Sequence, residues 1–212
     1  MLNRQIIPFL PTVNNPHQLD DDSKIKPMPR PNISNLRVGH LNVRGLERHI
    51  DGIKLLLDKH TYHFFGVTET KLRASVPAGP LRVPDYNLLR HSLPSKGGRG
   101  NKAYGGIGLY VQKGVKAVPI LKSEHDPQIA KNMRLEYLVV RAEINELKVG
   151  VAVIYNPSGA NQLFAQQYEK LLIDLLEFDL DQTYLIGDFN INVASSTPST
   201  NIFALNRIAD RF

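Results

Sequence analysis

Asp188 and Asn190 close the segment YLIGDFNIN (184–192), where an apolar run gives way to polar residues. Two positions apart on an extended chain, their side chains leave the same face. A carboxylate beside an amide carbonyl can grip a hard cation, although the same residues also begin turns. The pattern recurs along the chain: the run from Leu36 ends at Asn42, YHFFGVTET ends at Glu69, and VGVAVIYNP ends at Tyr155 and Asn156. Singly, Asn42 reads as a turn cap, Glu69 as a surface acid and Tyr155 as core. Jointly they are polar strand ends, where layered α/β folds build their sites. Glu69 and Asp188 with amide oxygens form an oxygen-rich donor set that suits Mg²⁺ or Mn²⁺ better than zinc. Mg²⁺ keeps several waters, so two protein carboxylates suffice. A cation held this way polarises a phosphoryl oxygen and stabilises a leaving oxyanion. Asn190 could orient the attacking water or a phosphate oxygen, and Tyr155 could donate a hydrogen bond to the developing charge.

These residues need rigid elements behind them. NLRVGHLNVRGL alternates Leu36, Val38, His40 and Asn42 with Arg37, Gly39, Leu41 and Val43, a predicted strand with both faces mostly covered. ERHIDGIKLLLDKH places Ile50, Ile53, Leu56 and Leu57 on one helical face. YHFFGVTET is a second strand, with Phe65, Val67 and Glu69 expected on one side. A basic Gly-rich loop, PSKGGRGNKAYGG, then feeds IGLYVQ. RLEYLVVRAEI and LKVGVAVIY read as a hairpin. NQLFAQQYEKLLIDLLEF is a second amphipathic helix, with Leu163, Phe164, Tyr168, Leu171, Leu172 and Leu175 inward. Strands mixed with flanking helices predict an α/β layered domain. Residues 1–34, rich in Pro, Asn and charge and lacking either hydrophobic period, are expected to form a disordered leader outside a domain spanning 35–212. Asp20, Asp21 and Asp22 read as a solvated charge run within it.

The 212 residues are 42% hydrophobic, enough for one domain with a real core. The absence of cysteine removes disulfides, thiolate zinc sites and cysteine nucleophiles, and fits an intracellular protein. No apolar run approaches the roughly 20 residues of a membrane span, and no signal peptide is expected. A net charge of +6 favours an anionic partner such as nucleic acid. Lys96, Arg99 and Lys102 of the basic loop are candidates for DNA phosphates, against plain solvent exposure. GGRGNKAYGGIG lacks the Gly-Lys-Ser/Thr ending of a nucleotide loop and leads into a strand, so no nucleotide cofactor is expected. His40 reads as a satisfied strand histidine and Asn156 as structural.

LNVRGL, VTET, YGGIGLYV, IYNP and GDFNIN, in this order, resemble the endonuclease/exonuclease/phosphatase superfamily. More narrowly, they resemble the apurinic-type endonuclease domain of non-LTR retrotransposons, over residues 36–212. The resemblance implies a DNase I-like two-sheet α/β sandwich flanked by helices. It implies Mg²⁺- or Mn²⁺-dependent nicking of DNA, a reverse transcriptase portion of the same polyprotein as partner, and work in the nucleus. It places Asn42 and Glu69 at the metal, Tyr155 at the phosphate, and Asp188 and Asn190 with the nucleophilic water.

Two departures stand out. Relatives in DNA repair often carry an acid where this chain has Arg44. The family also closes with a further Asp and a Ser-Asp-His motif, whereas no histidine here follows His125. The resemblance therefore implies a fold lacking its last strands, with weak or absent activity. Two alternatives accompany it: a non-catalytic nucleic-acid-binding relic, and a phosphatase or phosphodiesterase of the same fold acting on a smaller phosphoester.

Overall fold

The computed structural model describes residues 5–8, 36–92, 105–124, 126, 128–157 and 162–191. In chain order the elements are β1 (Gln5–Pro8), β2 (Val38–Asn42), α1 (Leu46–Lys59), β3 (Phe64–Thr68), β4 (Tyr86–His91), β5 (Ile107–Gln112), β6 (Ala117–Lys122), β7 (Glu136–Ile144), β8 (Leu147–Tyr155), α2 (Gln162–Leu176) and β9 (Gln182–Asp188). They form two sheets, one in the order β1-β9-β8-β7-β6 and the other β2-β3-β5-β4. Both are mixed: β9 runs parallel to β8, and β2 parallel to β3, while the remaining inner pairs are antiparallel.

Alternation along each strand sorts its side chains into layers. On β8, Val149, Val151 and Val153 meet Phe64, Leu109 and Val111 of the opposite sheet. Ala152 and Ile154, one residue out of phase, meet Phe164, Tyr168 and Leu172 of α2. Phe65, Val67 and Tyr110 face Ile50, Ile53 and Leu57 of α1. The order is helix, sheet, sheet, helix. Central strands are covered on both faces, which is why VGVAVI reads as an unbroken apolar run. Each fully buried Val, Leu or Phe adds about 1.5–3 kcal/mol. The β7–β8 hairpin turns through Asn145 and Glu146, both left-handed at φ 50° and 68°, as a two-residue turn matched to strand twist requires.

Two expectations need correction. Gln5–Pro8, within the stretch expected to lie outside the fold, pairs in parallel with β9 from Gln182 to Leu185. An open sheet edge offers a row of backbone donors and acceptors, and a short extended segment satisfies them. β2 is not covered on both faces: it is an edge strand, and Leu41 remains 44% exposed. Proline stands in both edge strands of the larger sheet, Pro8 and Pro119, where the missing N–H breaks no interior ladder.

Candidate active site

At one rim of the sandwich, the ends of β2, β3, β8 and β9 converge. Tyr155 is level with Asp188 across the β8–β9 ladder, and Asn42 with Thr68 across β2–β3. The Asn42 amide joins the two sheets: Nδ2 donates to Glu69 Oε1 at 2.8 Å and to Asp188 Oδ2 at 2.6 Å. Its Oδ1 accepts the Arg44 N–H at 3.2 Å. One donor group thus sits between two carboxylates contributed by different sheets. The Tyr155 hydroxyl donates to Glu69, and burial, with the charges of Glu69, Glu136 and Asp188, raises its pKa above the ordinary value. Lys71 Nζ lies 3.6 Å from Glu69 Oε2.

The backbone re-aims these side chains. Glu69, Lys71 and Arg44 are left-handed at φ 51°, 53° and 47°, a conformation that costs about 1–2 kcal/mol for a residue with a side chain. Ladder-like hydrogen bonds hold them there: Gly45 N–H to Glu69 O at 2.8 Å, Leu46 N–H to Thr70 O at 2.9 Å, and Thr70 N–H to Gly106 O at 3.0 Å. Strict alternation, which put Glu69 on the side of Phe65 and Val67, therefore fails. The strand ends at Thr68, and the turn brings Glu69 to Asn42 and Tyr155, away from the α1 side.

Asn190 departs from expectation in the same way. It lies beyond the end of β9 at φ 50°, so it does not share an extended face with Asp188. Its backbone N–H donates to Asp188 Oδ1 at 3.0 Å, closing a turn, and its Nδ2 donates to Asn156 O at 2.6 Å. Asn156, 1% exposed, completes the clamp, its N–H on Asp188 O and its Nδ2 on Phe189 O. The structural reading of Asn156 fits these bonds. Beneath them, a Cβ on Gly187 would collide with the Ile154 carbonyl; only glycine lets β9 lie this close to β8.

His40 Nε2 pairs with Thr68 Oγ1 at 3.1 Å, and burial lowers its pKa to about 4, with Asp188 acting in the opposite sense. It is neutral and engaged, as a satisfied strand histidine should be. Among the described residues no histidine is hydrogen-bonded to a carboxylate. Lys96, Arg99 and Lys102 lie outside the described residues.

One participant was not singled out by sequence reading. Glu136 stands level with Tyr155 on β7, is 3% exposed, and accepts the Gly106 N–H at 2.6 Å. Burial, partly offset by that bond and by Arg134, raises its pKa from the ordinary 4.5 to about 7. Gly106, at φ 88°, has no room for a Cβ against Thr70. Its carbonyl accepts the Thr70 N–H, so Glu136 is coupled through the Gly106 backbone to the turn that carries Glu69. An acid placed where a strand begins, as in RLEYLVV, was the available signal.

Among the described residues two acids, Glu69 and Asp188, meet at Asn42, and no group of three or more His, Cys, Asp or Glu is suited to a metal. The fit to a hard cation rests on carboxylate oxygens from both sheets converging on the single nitrogen of Asn42. Two carboxylates suit Mg²⁺, which dehydrates reluctantly and retains waters.

Two mixed sheets packed face to face and flanked by helices define the DNase I-like α/β sandwich class. The chain belongs to the Endonuclease/Exonuclease/phosphatase family, which matches residues 34–204. Members are nucleases and phosphodiesterases and generally use divalent metals. Among solved structures, it is similar in fold to the 3′ phosphatase NExo from Neisseria bound to a product DNA hairpin. That match has TM-score 0.58 and 17% identity, covering 83% of this chain and 71% of the other. An AP endonuclease from Archaeoglobus fulgidus gives TM-score 0.57 and 15% identity, over 84% and 71%. AP endonuclease LMAP from Leishmania major gives 0.54 and 17%, over 83% and 65%. No curated protein matches the sequence.

Proposed function

We propose that this chain is a Mg²⁺- or Mn²⁺-dependent DNA-nicking endonuclease domain of a non-LTR retroelement, acting in the nucleus beside the element's reverse transcriptase. The observation that carries the chemistry is the Asn42 amide bridging Glu69 and Asp188, with the Tyr155 hydroxyl on Glu69. Glu69 and Asp188 would hold the cation, with Asn42 beside them. When bound, the cation supplies charge to a phosphoryl oxygen and to the leaving oxygen. Tyr155, kept protonated by its surroundings, donates to a phosphate oxygen as charge develops. Asn190, pinned by Asp188 and Asn156, orients the attacking water beside the Asp188 carboxylate. DNA is favoured as substrate by the net charge of +6 and by the nucleic acid bound to the Neisseria 3′ phosphatase of the same fold; a smaller phosphoester is the alternative within this fold.

The test is nicking of supercoiled plasmid with Mg²⁺, against EDTA and Asp188→Ala. Slow nicking lost in both controls is expected, because no described histidine is hydrogen-bonded to a carboxylate at the site. That same observation favours a second reading, a nucleic-acid-binding relic. A folded protein that binds plasmid in a salt-sensitive manner and never nicks it would establish the relic instead.

A further inference from the structure

The edges of the two sheets approach each other at β4 and β6, well aside from the carboxylates. A cavity of about 460 Å³ lies there, lined by Arg90, His91, Ser92 and Lys122 together with Leu89 and Leu138. That volume falls within the range of pockets that take a whole small molecule or a piece of a larger one. Arg90 and Ser92 of its wall each carry a buried side-chain atom, Nη1 and Oγ, without a hydrogen-bond partner. Leaving a buried donor unpaired is unfavourable, the more so on a charged group, and native structures contain few such atoms. Lys122 is exposed and makes no ion pair among the described residues. His91 Nε2 pairs with Ser123 Oγ at 3.1 Å, and Ser123 Oγ also accepts the Tyr137 N–H. Among the described residues no carboxylate lines the cavity. The pocket therefore gathers donors and positive charge with no described carboxylate to neutralise them.

Its position relative to the candidate active site follows from the strand registers. His91 is level with Ile107, Ile107 with Thr68, and Thr68 with Asn42. The end of β4 is thus on the same rim as the carboxylates, two strands away from β3, or about 10 Å at ordinary strand spacing. On the other sheet Lys122 is level with Leu138, two residues along from the Glu136–Tyr155 pair.

We propose that the β4–β6 pocket is a phosphate site, with Arg90, Ser92 and Lys122 as its donors. A phosphate offers several acceptor oxygens in three dimensions and so meets donors arriving from two sheet edges, where a planar carboxylate meets one guanidinium. Its source is the backbone of the DNA strand whose scissile bond lies at the carboxylate centre, at a phosphate flanking that bond on the same rim. This assignment of the source rests on the nuclease reading. Inorganic phosphate has the same chemistry and binds the pocket whether or not that reading holds.

The experiment titrates the ¹⁵N-labelled chain with inorganic phosphate, and separately with a short DNA duplex, following the Arg90 side chain and the Ser92 amide. Both probes are expected to move these signals. With the duplex, Arg90→Gln and Lys122→Ala should each weaken binding about 3- to 10-fold and flatten the salt dependence by about one phosphate contact. Arg90→Lys, which keeps the charge, should recover part of the affinity. Phosphate shifting the signals while the duplex leaves them unmoved would keep the phosphate site and overturn the backbone as its source. Neither probe shifting them would overturn the site itself. Because wild-type protein carries the titration, a variant that fails to fold does not obscure the answer. A chain that never nicks DNA but binds phosphate at Arg90 would separate failure of the nuclease reading from failure of the pocket.

Discussion

The centre of the rim and its edge pose opposite electrostatic problems. At the centre, carboxylates from two sheets share one amide donor, and their remaining lone pairs call for a cation. At the edge, a guanidinium nitrogen and a hydroxyl are buried without partners beside an exposed lysine, and together they call for an anion. Both regions are built from strand ends of the same sheets, so topology alone does not set their chemistry. What differs is how each is held. The centre is clamped by left-handed residues and interlocking backbone bonds around Glu69, Asp188 and Asn190. The edge lies between outermost strands, one of them bulged between Pro119 and Leu121. A preorganised centre suits bond making and breaking, whereas a looser edge suits holding.

The largest expected effect breaks the centre and leaves the edge alone. Asp188→Ala should cut any metal-dependent cleavage by about 10²- to 10⁴-fold, the usual loss when a positioned reacting group is removed, while phosphate binding at Arg90 persists. Gly187→Ala should come next. With a Cβ driven into the Ile154 carbonyl, β9 must move away from β8, at a cost of about 3 kcal/mol or more in denaturant unfolding. If stability were unchanged, the close approach of β8 and β9 would not be a constraint.

Glu136 sharpens the comparison through pH. Its folded pKa, about 7, lies above the ordinary 4.5 because burial penalises the charged form. The protonated group's contribution to stability is therefore complete below about pH 4.5 and lost as pH rises through 7, amounting to about 3 kcal/mol at 1.36 kcal/mol per pH unit. His40, lowered to about 4, acts with the opposite sign, its contribution present above 6.5 and lost as pH falls through 4. The Glu136 effect is accordingly the difference between wild type and Glu136→Gln. The two should be similar near pH 5, with the variant more stable at pH 8. Equal curves at both pH values would show that Glu136 carries no buried charge at neutral pH. A smaller effect, about 1–2 kcal/mol, is expected for Asn156→Ala, which removes the bond to the Phe189 carbonyl and loosens the turn holding Asn190.

Both helices follow from the 3.6-residue spacing of their apolar residues, and the β7–β8 hairpin from two apolar runs around a short polar turn. Asn42, Glu69, Tyr155 and Asp188 stood out jointly, because four apolar runs ending in polar residues are harder to explain as separate caps, surface acids and core than any one of them. What the spacing missed was backbone handedness. Alternation assumes an extended chain, and Glu69 and Asn190 are left-handed for reasons that lie in distant partners: Asn42 and Tyr155 for one, Asn156 for the other. The Arg90–Lys122 pocket was invisible for a related cause, since its donors are some thirty residues apart and meet only where two sheet edges face each other. β1 was missed because four residues in a Pro-rich, charged stretch carry almost no periodic signal.

The central claim is that Glu69 and Asp188 form one divalent-cation site. Titration of the full chain with Mn²⁺, followed by the loss of the free-ion electron paramagnetic resonance signal, tests it without requiring turnover. One bound ion per chain is expected, competed by Mg²⁺ and lost in Asp188→Ala with the fold intact. No binding by folded wild-type protein, or binding unchanged in Asp188→Ala, would contradict it.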